Sequence, residues 1–232
     1  MLLKAEGLVK RFGGIVAVDD VSFELETNVI TGVIGPNGAG KTTLFNLLSG
    51  FHPPTKGTIE FKGERIDQLE SHEIANRGIG RTFQISRPFG EMTVRENLVT
   101  SNYDLPRAER DRRVDETLEM LDLTHQSDVL GKNLSGGQPT LFEIGRVLML
   151  DPDLILLDEP AAGVNPKLVD DIAELITDTS DERTYMIVEH DITLISRLCE
   201  RVMVLNEGRL IADGSIDEIK ADPAVKKAYL GE

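Results

Sequence analysis

Residues 29–43 read Val29-Ile30-Thr31-Gly32-Val33-Ile34-Gly35-Pro36-Asn37-Gly38-Ala39-Gly40-Lys41-Thr42-Thr43, and the fold class follows from this segment. Its first six residues are a β-branched run typical of a buried strand, and residues 41–48 have helical spacing. The residues between match the pattern G-x-x-x-x-G-K-[ST], which binds phosphate where it joins a strand to a helix. The segment therefore predicts a phosphate-binding loop in an α/β protein.

The residue types of this loop suit a nucleotide. Its glycines let the backbone curl so that successive N–H groups face phosphate oxygens, and the helix that starts near Lys41 adds the positive end of its dipole. We expect Lys41 to contact the β and γ phosphates, the Thr42 hydroxyl to ligate Mg²⁺, and Thr43 to hydrogen-bond the α phosphate. A Gly-rich turn that binds nothing is the competing interpretation, and the Lys-Thr pair in register argues against it.

Two acidic residues follow a second apolar run, Leu154-Ile155-Leu156-Leu157-Asp158-Glu159-Pro160. Parallel sheets place their ligands at the carboxyl ends of their strands. We expect Asp158 to bind Mg²⁺ through water and Glu159 to orient or deprotonate the water that attacks the γ phosphate. In isolation this would be an ordinary solvated strand end; the preceding phosphate-binding loop favours the catalytic interpretation.

Composition excludes several classes of protein. The 232 residues include 25 Lys and Arg against 40 Asp and Glu, a formal charge of −15 that disfavours a nonspecific grip on nucleic acid. The acidic surplus fits either an ordinary solvated surface or adaptation to a salty cytoplasm, where a Debye length of about 3 Å screens self-repulsion.

Apolar runs fall short of the roughly 20 residues of a transmembrane helix, and no secretory signal is evident, so we expect a soluble cytoplasmic chain. The lone Cys199 excludes an internal disulfide framework and is expected to be a buried hydrophobe.

Hydrophobic periodicity divides the chain into regions. Residues 2–9 and 16–25 alternate apolar and polar positions, which predicts an antiparallel sheet. Residues 88–147 have helical character. Beyond Pro152, strands are predicted at 154–157, 185–188 and 202–205, separated by helices at 166–177 and 192–199, which indicates a parallel sheet covered by helices.

A third motif, Leu134-Ser135-Gly136-Gly137-Gln138, ends twenty residues before Asp158 and precedes a helical run. With the two motifs above, the chain resembles the nucleotide-binding subunit of an ATP-binding cassette (ABC) transporter over essentially all 232 residues. The resemblance implies an α/β P-loop NTPase with a RecA-like parallel-sheet core, an N-terminal antiparallel β subdomain and a helical subdomain. It also implies one ABC ATPase domain over residues 1–232, with the helical subdomain at about 88–147.

The resemblance further implies how the site is completed. Two subunits, identical or paralogous, would dimerise head to tail around two molecules of ATP with Mg²⁺, each held between the loop 35–43 of one subunit and Ser135–Gln138 of the other. Physically, Ser135 and the following amides at a helix N-terminus form a second anion site. The implied partners are transmembrane permease subunits and, indirectly, an extracytoplasmic substrate-binding protein; the implied location is the inner face of the cell membrane.

Three further residues take roles from the resemblance. Gln84, in Arg81-Thr82-Phe83-Gln84, resembles the glutamine that touches Mg²⁺ or the attacking water, with a polar surface glutamine as the alternative. His190, in Val188-Glu189-His190-Asp191, resembles the switch histidine that contacts the γ phosphate. Phe12 resembles the aromatic that stacks on adenine, where the family more often has Tyr; the alternative is a core Phe.

Several motifs are similar to those of branched-chain amino acid importers: Arg81–Gln84, Glu91–Asn97, Ala161–Pro166 and Ala228–Glu232. An importer of urea or short amides, a soluble ABC ATPase of DNA repair or translation, and a nucleotide sensor disabled by Pro139 remain alternatives.

The chain departs from the family at Asn165, where an Asp is common, at Pro139-Thr140, where polar and basic residues are usual, and in a short segment between Asn97 and Leu134. A groove near Gln84 to Val94 is the expected permease-docking surface, with a solvated loop as its alternative.

Overall fold

The computed structural model describes residues 1–82, 88–135 and 137–230, with side chains through residue 228. The strands are β1 (Leu3–Phe12), β2 (Ile15–Leu25), β3 (Ile30–Ile34), β4 (Lys56–Phe61), β5 (Glu64–Arg65), β6 (Ile79–Arg81), β7 (Leu154–Asp158), β8 (Thr184–Val188), β9 (Arg201–Asn206) and β10 (Arg209–Gly214). The helices are α1 (Lys41–Leu48), α2 (Ser71–Ala75), α3 (Val94–Ser101), α4 (Arg107–Met120), α5 (Gln138–Leu148), α6 (Pro166–Thr179), α7 (Ile192–Leu198), α8 (Ile216–Ala221) and α9 (Pro223–Leu230).

The N-terminal region forms an antiparallel sheet in the strand order β2-β1-β4-β5. Leu3 pairs with Leu25 on one side and with Phe61 on the other, so the apolar positions of three strands share one face. The predicted antiparallel sheet is confirmed, with its first two strands longer than the alternation alone indicates.

The second sheet has the order β10-β9-β3-β8-β7-β6, with parallel pairing from β9 to β6 and antiparallel pairing of β10 on β9. Since β3, β6, β7 and β8 run in the same direction, the residues that follow them meet at one edge. The predicted parallel sheet covered by helices is therefore confirmed.

Alternate residues of the parallel strands belong to two separate cores, as expected for a sheet buried on both faces. On one face Ile155 and Leu157 pack with α5, α6 and α7; on the other, Leu154 and Leu156 pack with α1 and the antiparallel sheet. Cys199 lies in the first core, 7% exposed, as the sequence predicts.

The region between residue 88 and the Leu134–Gln138 motif is mainly helical. Thr93 caps α3 through a capping box with Glu96, while Val114 and Leu118 bury one face of α4. Two 3-10 turns, Thr124–Gln126 and Gly131–Asn133, lead to α5. The division of this region into a subdomain over residues 88–147 stays a prediction.

No helix in the described ranges is both long and apolar enough to cross a membrane.

Candidate functional site

Four segments converge at the carboxyl edge of the parallel sheet. The loop 35–40 follows β3, Asp158 ends β7 with Glu159 next to it, and Glu189 and His190 follow β8. Arg81 ends β6 at the same edge. The fold thus brings together residues as far apart in sequence as Gly35 and His190.

The predicted phosphate-binding loop wraps around the Lys41 ammonium. Lys41 Nζ donates to the carbonyl oxygens of Gly35 at 2.7 Å and Pro36 at 3.1 Å, and the side chain is buried. Burial lowers the pKa of Lys41, and the negative charges of Glu159 and Asp158 oppose that fall. A buried cation whose close partners are carbonyl groups is a site that an anion completes.

Space for that anion lies beside the loop. A cleft of about 250 Å³ is lined by residues 37–43 together with Glu159 and His190, and Thr42 is exposed to it. Gly40, at the N-terminus of α1, has φ 102°, and a Cβ there would lie 2.4 Å from the Ala17 carbonyl oxygen. The loop geometry therefore requires glycine at this position.

Asp158 is held by a buried arginine. Arg81 Nη2 donates to Asp158 Oδ2 at 3.1 Å, and each side chain is 7% exposed. Arg81 Nη1 also donates to Asn46 Oδ1 at 2.7 Å and to Ser49 Oγ at 3.0 Å, which ties the carboxylate to α1 and its C-terminus. Burial raises the pKa of Asp158, and the charges of Arg81 and Lys41 act against that rise.

Glu159 and His190 face each other. His190 Nε2 lies 2.9 Å from Glu159 Oε1, although the two residues are 31 positions apart. Glu159 has φ 53°, an uncommon value for a residue with a side chain, and its N–H donates to the Val188 carbonyl at 2.9 Å. The arrangement directs a carboxylate and an imidazole into the cleft beside Lys41.

The segment Ser135–Gln138 lies at the start of α5, with Gly136 outside the described residues. Ser135 is exposed, and its N–H donates to Gln138 Oε1 at 3.1 Å. A Cβ on Gly137 would meet Leu168 Cδ2 at 1.6 Å, so glycine allows this segment to pack closely on α6. Pro139 occupies the first turn of α5, where proline is tolerated.

The structure describes two of the remaining predicted residues, Phe12 and Asn165, and does not describe Gln84. Phe12 is 43% exposed, with Lys10 Nζ 5.2 Å from its ring centre, so the alternative of a core Phe is wrong. Gln84 falls outside the described residues, as does the rest of the expected docking groove up to residue 87. Asn165 caps α6 by accepting the Leu168 N–H at 3.0 Å.

Two residues of this edge were not predicted to act there. In the sequence, Arg81 is one residue of the motif Arg81–Gln84, and Glu189 precedes His190. The only sequence signal for a role of these residues is a charged residue at the end of an apolar strand. Arg81 pairs with Asp158, 77 positions away, and no local pattern predicts that contact.

Comparison with known proteins identifies the class. Residues 18–162 match the model of the family described as "ABC transporter", and residues 209–232 match "Branched-chain amino acid ATP-binding cassette transporter". The chain belongs to the ABC transporter ATP-binding subunits and is an ABC ATPase that binds and hydrolyses ATP.

Two relatives named for different functions are similar to the chain over its full length. The chain is 40% identical over 250 residues to the high-affinity branched-chain amino acid transport ATP-binding protein BraF of Pseudomonas aeruginosa, covering 100% of this chain and 98% of that one. It is also 40% identical over 235 residues to the lipopolysaccharide export system ATP-binding protein LptB of Haemophilus influenzae, with coverage of 100% and 98%.

Solved structures agree with the fold. An ATP-binding cassette of an ABC transporter in its ADP conformation superposes with a TM-score of 0.89 at 35% identity, covering 100% of this chain and 99% of the other. A dimeric ATP-binding cassette in a post-hydrolysis state, bound to ADP and Pi, superposes with a TM-score of 0.82 at 25% identity, covering 93% and 99%.

Proposed function

We propose that this ATPase powers the import of branched-chain or other hydrophobic amino acids, as one of two ATP-binding subunits on a membrane permease. The observation that carries the proposal is the match of residues 209–232 to the branched-chain cassette model, together with a full-length relative of that name. The lipopolysaccharide export relative is equally identical over fewer aligned residues, and the C-terminal match supports amino acids as the cargo.

The residues at the sheet edge suit the hydrolysis of ATP. Lys41 and the loop amides bind the phosphates, while Glu159 orients the attacking water and accepts its proton. His190, 2.9 Å from Glu159, contacts the γ phosphate and holds the Glu159 carboxylate toward the water. Gln84 lies outside the described residues, and its proposed contact with Mg²⁺ or the attacking water rests on its motif, Arg81-Thr82-Phe83-Gln84, alone.

Oxygen donors at this edge fit Mg²⁺. Thr42 presents an exposed hydroxyl and Asp158 a carboxylate, the ligand types this ion prefers. Among the described residues, no group of three or more His, Cys, Asp or Glu side chains could hold a metal ion. Thr42 and Asp158 would therefore share the ion with phosphate and water. When bound, Mg²⁺ neutralises charge on the β and γ phosphates.

One subunit does not complete the site. Lys41 and Glu159 line the cleft beside the phosphate loop, whereas the described residues of Ser135–Gln138, at the N-terminus of α5, are not part of its lining. In the proposed head-to-tail dimer, the Ser135 segment of one subunit covers ATP held by the loop 35–43 of the other. A similar cassette is dimeric with ADP and Pi bound, which supports a dimer for this chain.

The proposed docking surface for the permease is the groove near Gln84 to Val94, of which the structure describes residues 88–94. Phe89 is 54% exposed, and buried Asn97 fixes this loop by donating to the carbonyls of Phe89, Met92 and Thr93. A rigid loop with an exposed aromatic suits protein binding. Binding to the permease through this surface would place the subunit peripherally on the inner face of the membrane. Closure of the ATP-bound dimer would then transmit its movement to the permease.

Two measurements test the proposal. In cells that lack the chain, the parental gene should restore uptake of labelled leucine, and the Glu159→Gln variant should not; restored uptake of urea alone would overturn the cargo assignment. In vitro, Glu159→Gln should bind ATP and accumulate as a dimer with hydrolysis nearly stopped. Hydrolysis by this variant at the parental rate would overturn the role of Glu159.

A further inference from the structure

Glu189 is a buried carboxylate at the edge of the proposed catalytic cluster. It is 4% exposed, while its neighbour His190 is exposed. The Glu189 side chain accepts hydrogen bonds from the backbones of two loops, and an ionised group in such a place costs free energy unless hydrogen bonds compensate it. These hydrogen bonds compensate the burial of Glu189 and tie its side chain to both loops.

The two oxygens of Glu189 bridge two different loops. Oε1 accepts the N–H of Ala161 at 2.7 Å, and Oε2 accepts the N–H of His190 at 3.1 Å. Ala161 lies two residues after Glu159, so the bridge connects the loop that follows the proposed catalytic carboxylate to the loop that carries the proposed switch histidine. The Glu159 N–H donates to the carbonyl of Val188, the residue before Glu189, and this is a second hydrogen bond between the same two loops.

A carboxylate is the side chain that this bridge requires. Both of its oxygens accept hydrogen bonds, whereas a glutamine has one accepting oxygen and one donating nitrogen. An amide at position 189 would turn a donor toward one of the two backbone N–H groups. Burial raises the pKa of Glu189, and the hydrogen bonds from the backbone N–H groups of Ala161 and His190 act against that rise.

We infer that Glu189 is a positioning residue, which holds the loop after Glu159 and the loop of His190 in one register and so keeps the pair of side chains at hydrogen-bonding distance. This inference rests on the proposed roles of Glu159 and His190. The same bridge anchors the start of the segment 161–165, which ends where Asn165 caps α6.

The test measures ATP hydrolysis by the purified full-length chain. Glu189→Gln is expected to lower kcat on the order of tenfold to a hundredfold, because small displacements of catalytic groups have effects of that size. The KM for ATP should change less than about twofold, because the Glu189 side chain accepts hydrogen bonds from the backbones of Ala161 and His190 rather than from Lys41. Glu143→Gln is the matched control: Glu143 is also buried, pairs with Arg146 at 3.3 Å, and should keep the parental kcat.

A second variant, Glu189→Asp, distinguishes the length of the side chain from its charge. Glu189→Asp keeps the carboxylate, but the side chain is one methylene too short to span both N–H groups, so kcat should again fall while KM holds. A parental kcat in either variant would overturn the inference. Thermal unfolding of each variant is measured alongside, and a kcat loss that only follows loss of folded protein would also overturn it in favour of a purely structural role.

The Glu159→Gln variant in the same assay distinguishes this inference from the proposed function. If that variant is inactive and Glu189→Gln is fully active, only the positioning role fails. If Glu159→Gln is itself fully active, the proposed catalytic role of Glu159 fails and the positioning role fails with it.

Discussion

Arg81 and Asp158 form a buried ion pair, with Nη2 to Oδ2 at 3.1 Å, that links the end of β6 to the end of β7. The pair matters because Asp158 is the proposed Mg²⁺ ligand and Arg81 comes directly before the segment that contains Gln84. The same guanidinium reaches Asn46 and Ser49. One side chain therefore connects three parts of the nucleotide site.

The first prediction concerns the stability that this pair provides. Arg81→Met leaves the Asp158 carboxylate buried without its cation, and removal of one partner of a buried pair costs about 3–5 kcal/mol of unfolding free energy. Urea unfolding measures the loss. The double variant Arg81→Met with Asp158→Asn should recover part of it, since the uncompensated charge is then gone.

Arg95→Met is the matched control, because Arg95 and Asp115 form an ion pair with side chains 37% and 63% exposed. Exposed pairs contribute about 0.2–1 kcal/mol. Equal losses in the two arginine variants would contradict the importance of the buried pair.

The second prediction concerns the packing of the segment Ser135–Gln138 on α6. Gly137→Ala should lower both the unfolding midpoint and ATP hydrolysis, because the added Cβ meets Leu168 Cδ2 at 1.6 Å and Cγ at 2.8 Å. Leu168→Ala alone should destabilise by about 2–5 kcal/mol through loss of buried apolar contacts.

The double variant separates the clash from a general intolerance of alanine. With the space vacated by Leu168→Ala, the added methyl should cost less than it does in the parent, a non-additivity that a double-mutant cycle measures. Strict additivity of the two free-energy changes would show that the Gly137 contact does not limit this segment.

The third prediction concerns Cys199, the chain's single cysteine. Burial raises the pKa of its thiol from 9.0 to about 12. At pH 8 the thiolate fraction should be about a thousandfold below that of an ordinary thiol, and the native protein should react correspondingly slowly with a thiol reagent. Reaction of native and denatured protein at the same rate would refute the burial of this group.

The same shift has a consequence for stability at alkaline pH. The folded thiol keeps its proton above 9.0, where the unfolded thiol loses it, so the folded state binds more protons in that window. The contribution of Cys199 to stability is therefore present below pH 9 and lost as the pH rises toward 12.

The local motifs of the nucleotide site were predictable from sequence, and the contacts between them were not. Residues 29–43 combine a strand, a glycine loop and a helix start within one continuous segment, so their geometry is encoded locally. The apolar run before Asp158 likewise predicts a buried strand whose end carries carboxylates. Strands β6 and β10 were missed, since β6 has three residues and β10 is a partly exposed edge strand.

The roles of Arg81 and Glu189 depend on tertiary contacts. Arg81 reaches a carboxylate 77 positions away, and Glu189 an amide 28 positions away. Neither partner follows from local spacing or periodicity. Phe12 shows the converse: its pattern fitted both a core residue and a surface aromatic, and only the folded chain places it on the surface.

The central claim is that each ATP is enclosed by two subunits, and complementation between inactive variants tests it most directly. Lys41→Ala removes the phosphate cation, and Ser135→Arg blocks the exposed segment that would meet the other subunit's ATP. Each variant alone should be nearly inactive. A mixed dimer retains one intact site, formed by the phosphate loop of the Ser135→Arg subunit and the Ser135 segment of the Lys41→Ala subunit.

Mixing the two variants in equal amounts before ATP is added should therefore restore hydrolysis to as much as about a quarter of the parental rate, because half of the dimers are mixed and half of their sites are intact. Full hydrolysis by the Ser135→Arg variant alone, or no gain in rate on mixing although mixed dimers form, would contradict the two-subunit site.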